Sequence, residues 1–187
     1  MSKVDGEQTG RRRFSRRTIM AGALGAAALP FASRAFAKAV QSPATQEDER
    51  LMKLAIAEAA KGDFPFGTVI VRDGEVLMSG RNLGLQDHDP TAHGEMVAIR
   101  RFLAKYGPDK LKGTTLYTSG EPCVMCMGAI VWCEIGRVVY AASIDQLSTK
   151  IGQIMISCTE VAKQTPFAEI GITGGVLADE ALALFKS

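Results

Sequence analysis

The stretch TTLYTSGEPCVMCMGAIVWCEIGRVVYAAS, residues 114–143, decides the fold. TTLYTS is rich in β-branched and aromatic residues and reads as a strand. PCVMCMGAIVWCEIG reads as a helix, with Pro122 at its first turn, where a missing N–H costs nothing. RVVYAAS is a second strand. A strand, a helix and a strand in that order imply a crossover connection and parallel pairing.

The same reading extends outward in both directions. Upstream, Leu51, Leu54, Ala55, Glu58 and Ala59 fit a helical period within Glu47–Lys61, which Gly62 stops. FGTVIVRDGEVLMSG (66–80) is a hairpin, two apolar runs joined at Asp73-Gly74. A polar loop, 81–91, leads to a helix in AHGEMVAIRRFLAKYG (92–107), with Thr91 as its expected cap and Gly107 as its stop. Downstream, 144–164 is weakly patterned. ITGGVL (172–177) reads as a short strand and ADEALALFK (178–186) as a last helix. The antiparallel hairpin makes the sheet mixed. The expected fold is α/β, a three-layer α/β/α sandwich with a mixed five-stranded sheet.

The first 37 residues have a different character. A basic run ends at Arg16-Arg17, Ile19 to Ala32 carries no charge, and Ala35-Phe36-Ala37 is a small-x-small site. This order is that of a secretory signal, and the paired arginines in SRRTIM suggest the twin-arginine type. The uncharged run is shorter than the roughly 20 residues that span a bilayer, so no stable membrane anchor is expected. The expected organisation is a signal peptide at 1–37, a polar linker at 38–46 and one domain at 47–187, exported or periplasmic. The chain has 22 basic and 20 acidic residues. Seven of the basic and two of the acidic ones lie in 1–37, leaving 15 basic and 18 acidic, net −3. That balance gives no electrostatic footprint for nucleic acid.

Few residues in the remaining chain are suited to bind a metal. His93 lies at the start of one helix, and Cys123 and Cys126 at the start of another. Brought together at one sheet edge, an imidazole and two thiolates make three ligands and leave a fourth position for water. That is the composition of a catalytic rather than a structural zinc site. Glu95, two residues after His93, points about 200° away around a helix axis and is poorly placed as a ligand. At the first turn its carboxylate can instead carry a proton. A CxxC pair can also form a disulfide or a redox couple in an oxidising compartment, so a metal-binding or redox module without deaminase activity is the rival reading. His88 has no such company and reads as a loop residue. Cys133 and Cys158 read as small buried apolar groups.

HGE followed by EPCVMC resembles the H-x-E…P-C-x-x-C pattern of the zinc-dependent cytidine deaminase superfamily. FPFGTVIVRDGEV, GRN, DPTAHGEMVAIR, LYTSGEPCVMCMGAI and IGRVVYAAS resemble the branch that holds guanine deaminases, tRNA adenosine deaminases and related nucleoside deaminases. The resemblance covers roughly residues 47–145. It implies Zn2+ held by His93, Cys123 and Cys126, with Glu95 as the catalytic proton carrier. It implies substrate contacts from Asn82 and Phe66, with Gly94, where alanine is usual, counted beside them. Trp132, Asp145 and Glu160 are further candidates, the two acids because this branch tends to place substrate-selecting acids there. The implied reaction is hydrolytic deamination of a free base or nucleoside, a guanine-type purine favoured, followed by cytosine or cytidine and then tRNA adenosine. The expected partner is a small molecule, without nucleic acid: the acidic balance, the absence of a basic tail after LALFKS and export all weigh against tRNA. A homodimer is expected from the resemblance alone.

Overall fold

The computed structural model describes residues 39–167 and 169–185. The signal-like stretch 1–37 lies outside the described residues. Twelve elements follow one another among those described: β1 (Ala39–Gln41), α1 (Gln46–Ala59), β2 (Gly67–Arg72), β3 (Glu75–Arg81), α2 (Gly94–Tyr106), β4 (Thr115–Gly120), α3 (Val124–Trp132), β5 (Arg137–Ala142), α4 (Ile144–Ser148), α5 (Cys158–Lys163), β6 (Ile170–Thr173) and α6 (Ala178–Leu182).

Strand order in the sheet is β1-β6-β5-β4-β2-β3. β2 runs antiparallel to both β3 and β4, whereas β4, β5, β6 and β1 are mutually parallel. The mixed sheet is therefore as expected, with five strands from β2 to β6 and a sixth that sequence reading does not find. That sixth strand is three residues long and falls inside the segment read as a polar linker. Its backbone pairs with β6, Ala39 opposite Ile170 and Gln41 opposite Ile172. So short a strand has no room for an alternating pattern, and its partner lies 131 residues away.

Alternation along the strands builds the two outer layers. Ile70, Leu116, Val138 and Ile172 face α2, α3 and α5, packing on Phe102, Met127, Ile130 and Ala162. Val69, Val71, Tyr117, Val139 and Ala141 face the other way, onto Leu51, Met52 and Ala55 of α1 and Ala181 of α6. Cys158 is buried in the first of these layers, as expected of a small apolar residue.

The hairpin turns at Asp73-Gly74, both with positive φ (51° and 78°), the geometry of a type I′ connection that favours Asp-Gly. The weak segment resolves into two single-turn to two-turn helices, α4 and α5, separated by residues 149–157. β6 lies at 170–173 rather than 172–177. The chain leaves the sheet at Gly174-Gly175, where Gly175 has φ +83°, a conformation that ends strand pairing.

Candidate metal and active site

Two helices begin at the same end of the sheet, and each is capped by a metal-binding residue type. His93 is the N-cap of α2 and Cys123 the N-cap of α3, both with extended backbone (ψ 156° and 169°) and neither spending its side chain on the cap. The expected cap at Thr91 is displaced by a tighter turn. Asp89 accepts hydrogen bonds from the Thr91 N–H (2.8 Å) and hydroxyl (2.6 Å), so Thr91 is occupied before the helix begins. Arg100, one turn into α2, donates to both Asp89 and Thr91 and pins that turn to the helix. Pro122 likewise sits just outside α3 rather than in its first turn, and its fixed φ sets the extended entry.

Extended caps aim both side chains out of their helices and into a common space. The His93 Nδ1 lies 3.7 Å from Cys123 Sγ and 3.6 Å from Cys126 Sγ. All three donor atoms lie within 4.8 Å of one another. A tetrahedral zinc with Zn–S near 2.3 Å and Zn–N near 2.0 Å requires N···S separations of about 3.5 Å. The donor set and spacing therefore fit zinc. All four cysteines are free thiols, so the pair in CxxC is not a disulfide.

The electrostatics fit the same ion. A hydrogen bond from Cys126, aided by His93, pulls the Cys123 thiol down to about 4. That same bond and burial push the Cys126 thiol up. His93 is held above its ordinary value by its bond to Cys123. Two cysteine sulfurs and an imidazole packed this closely invite a divalent cation, which ionises coordinating thiols.

Glu95 is on the first turn of α2, 5% exposed, and reaches the same cavity. Burial raises the pKa of its carboxyl group, opposed by its backbone hydrogen bond. It is not one of the three clustered donors. The glycines around it explain how α2 can start so close to the sheet. A Cβ at Gly80 would lie 2.4 Å from the Gly94 carbonyl oxygen, and one at Gly94 would meet Phe66 O at 3.0 Å. Gly94 thus serves close packing against β2 and does not line the cavity, contrary to its place among the expected substrate contacts.

The cavity over this site holds about 430 Å3, within the range that accepts a small organic molecule. Phe66 and Asn82 line it, as expected. The Ser119 hydroxyl fixes the Phe66 turn by accepting from the Gly67 N–H (3.0 Å) and contacting the Pro65 carbonyl (3.4 Å). Asn82 is buried, and its Oδ1 accepts from the Gly84 N–H at 3.0 Å, which leaves the amide nitrogen as its donor. Phe64, Leu85 and Ile154 form an apolar mouth.

Three expected contacts are elsewhere. Trp132 is 74% exposed at the end of α3 and stacks on Phe167, with ring centroids 4.8 Å apart. It follows Cys126 by six residues, which carries it away from the helix start. Asp145 and Glu160 are exposed in the first turns of α4 and α5 and do not line the cavity. His88 is an exposed loop residue, as expected. Two polar lining residues escape sequence reading, Glu121 and Gln153. Glu121 had a signal, since an acid directly before PCxxC is at the end of a buried strand. Gln153 had none, because nothing in its neighbourhood is periodic.

Residues 45–142 match the family described as the cytidine and deoxycytidylate deaminase zinc-binding region. Guanine deaminase of Bacillus subtilis is 43% identical over 99 residues, covering 50% of this chain and 64% of that protein. The tRNA-specific adenosine deaminase of Buchnera aphidicola is 37% identical over 148 residues, 75% of this chain and 86% of that protein. A protein solved in complex with 2,6-diaminopurine superimposes with TM-score 0.58 at 25% identity, covering 74% of this chain and 79% of that one. The chain spans just under two thirds of the guanine deaminase it matches. The matched region contains His93, Glu95, Cys123 and Cys126 in the places just described, and the chain belongs to the cytidine and deoxycytidylate deaminase zinc-binding family.

Proposed function

We propose that this protein is a zinc-dependent hydrolytic deaminase of a free nucleobase or nucleoside, with a guanine-type purine as the favoured substrate. The observation that carries this reading is the buried Glu95 carboxyl, which shares one small cavity with His93, Cys123 and the adjoining Cys126 but stands apart as a non-ligand. A structural metal site has no use for a carboxyl whose ionisation burial makes costly.

His93, Cys123 and Cys126 would hold the zinc, and zinc so held supplies Lewis acidity that makes water nucleophilic near neutral pH. The net reaction exchanges an exocyclic amine for oxygen: water adds to the amine-bearing ring carbon, the carbon–nitrogen bond breaks, and ammonia leaves. Glu95 is the proton carrier, taking a proton from water, placing it on a ring nitrogen and then delivering one to the departing amine. The same burial that raises its proton affinity suits it to that shuttle. Phe66 offers a flat wall for a ring, and the Asn82 amide nitrogen a donor for a ring or sugar acceptor.

A small molecule is favoured over tRNA for a reason specific to this site. Among the described residues, no lysine or arginine lines the cavity, so a phosphate would find neither of these cationic partners there. Metal analysis and an ammonia-release assay test the reading together. One zinc per chain is expected, along with turnover of guanine or guanosine that stops on chelation and returns with zinc. A zinc-loaded protein that releases ammonia from tRNA adenosine but from no base or nucleoside would replace this substrate class.

Export is proposed on the order of charges in residues 1–37 alone. Folding and zinc loading before twin-arginine export would protect the thiols from oxidation. Fractionation should place the protein in the periplasm with zinc bound, and Arg16→Lys with Arg17→Lys should retain it inside. An oxidised, metal-free Cys123–Cys126 pair in the periplasm would contradict this order of events.

A further inference from the structure

We propose that Gln153 selects the substrate by hydrogen bonding to the edge of the base, and that Glu121 is the positioning residue that holds it there. This deepens, and rests on, the deaminase reading above.

Residues 149–157, between α4 and α5, supply one wall of the cavity through Ile151, Gly152, Gln153 and Ile154. Gln153 alone of these four brings a polar side chain. It is half-buried, and among the described residues its amide has no hydrogen-bond partner. The acids of the same region, Asp145 and Glu160, are outside the cavity. A side-chain amide carries a donor and an acceptor next to each other. It complements a ring edge with a carbonyl beside an N–H, the lactam edge of a guanine-type base. Set in a largely apolar wall, such a group discriminates strongly, because a ligand that covers it without matching it leaves it unpaired.

The wall is clamped at both ends by one buried carboxylate. Glu121 Oε2 accepts from the Ile144 N–H at 2.9 Å, the first residue of α4. Its Oε1 accepts from the Cys158 N–H at 2.8 Å, the first residue of α5. Both oxygens are thereby engaged, so Glu121 lines the cavity without being free for the substrate. It directly precedes Pro122-Cys123, which ties the Gln153 wall to the metal-binding turn.

The test compares guanine with 2,6-diaminopurine, which carries an amine where guanine carries the carbonyl. Values of kcat/KM are measured for the wild type, Gln153→Glu and Gln153→Ala, alongside Kd for both bases in a Glu95→Gln background. Gln153→Glu, which can only accept, meets the N1–H and 2-amino donors of guanine but a bare N1 acceptor in 2,6-diaminopurine, and is expected to shift the ratio roughly tenfold toward guanine in both readouts. Gln153→Ala is expected to weaken guanine by about tenfold at unchanged zinc content. Glu121→Gln places an amide NH2 against one of two backbone N–H groups, and is expected to raise KM for guanine more than it lowers kcat, again at unchanged zinc content. Ratios within twofold of wild type in both Gln153 variants would overturn the proposal, whatever Glu121→Gln does. A wild type that acts on cytosine or adenine but not on guanine would overturn the proposal and leave the deaminase reading standing. A zinc-loaded wild type inert toward guanine, 2,6-diaminopurine, cytosine, adenine and their nucleosides would overturn both.

Discussion

Among the described residues, Asp48 and Glu95 are carboxylates almost completely buried in separate layers, and they are treated in opposite ways. Asp48, 1% exposed on α1, is surrounded by donors. Tyr117 donates to it at 2.8 Å, Arg137 at 2.7 and 3.0 Å, and the Thr45 N–H and hydroxyl at 2.8 and 2.9 Å. Burial works against its ionisation, but bonds from Arg137, Tyr117 and Thr45 outweigh burial and bring its pKa to about 2. Glu95 has no such company, and burial moves its pKa up. A buried acid with all its acceptors satisfied ties elements together. One left poor in donors beside a cluster of metal-grade ligands is available for chemistry. Asp48 caps α1, joins it to β4 and β5, and through Arg137 reaches Thr173 of β6 (2.7 Å). Glu95 makes no comparable network across the sheet.

Breaking the Asp48 knot is the largest stability change expected from this contrast. Asp48→Asn should lower the unfolding free energy by about 2–4 kcal/mol, toward the low end of the usual cost of breaking a buried ion pair because Arg137 is partly exposed. Urea denaturation measures it, and zinc content should be unchanged. Acid sharpens the same point with a smaller effect. Asp48 titrates lower in the folded chain than in the unfolded one, so its contribution is complete above about pH 4 and is lost as pH falls toward 2. That contribution is about 2 kcal/mol, absent from the acid limb of the Asp48→Asn stability profile. Tyr117→Phe, which removes one donor and keeps the ring, should cost about 1 kcal/mol. Smallest is Trp132→Ala. It removes a stack on Phe167 outside the cavity, and should change stability by less than about 1 kcal/mol and ammonia release not at all.

This contrast also marks how far sequence reading reaches. The strands β2 to β6 are carried by alternation and by Asp-Gly, which act locally, and the ligand trio by the fixed spacing of HxE and PCxxC. The resemblance supplies the chemistry of that trio. Other features depend on contacts between residues far apart in the chain. β1 exists only through β6. The Asp48 network joins residues up to 89 positions apart, and nothing around Glu47-Asp48-Glu49 sets the middle acid apart from its exposed neighbours. Gln153 lies in an aperiodic loop whose position is set by Glu121, some 30 residues earlier. Trp132, Asp145 and Glu160 show the converse error. Each has a suitable side chain near the site in sequence, but Trp132 sits at the far end of α3, and Asp145 and Glu160 are exposed outside the cavity.

The most direct measurement is zinc content and ammonia release determined together for the wild type and Glu95→Gln. Glutamine keeps the shape of the side chain and removes its ability to carry a proton. The expected result is one zinc per chain in both proteins and a fall in turnover of at least about a hundredfold in the variant, up to about ten-thousandfold. Wild-type turnover in a zinc-loaded Glu95→Gln protein would contradict the role given to the one buried carboxyl that this structure leaves without a structural task.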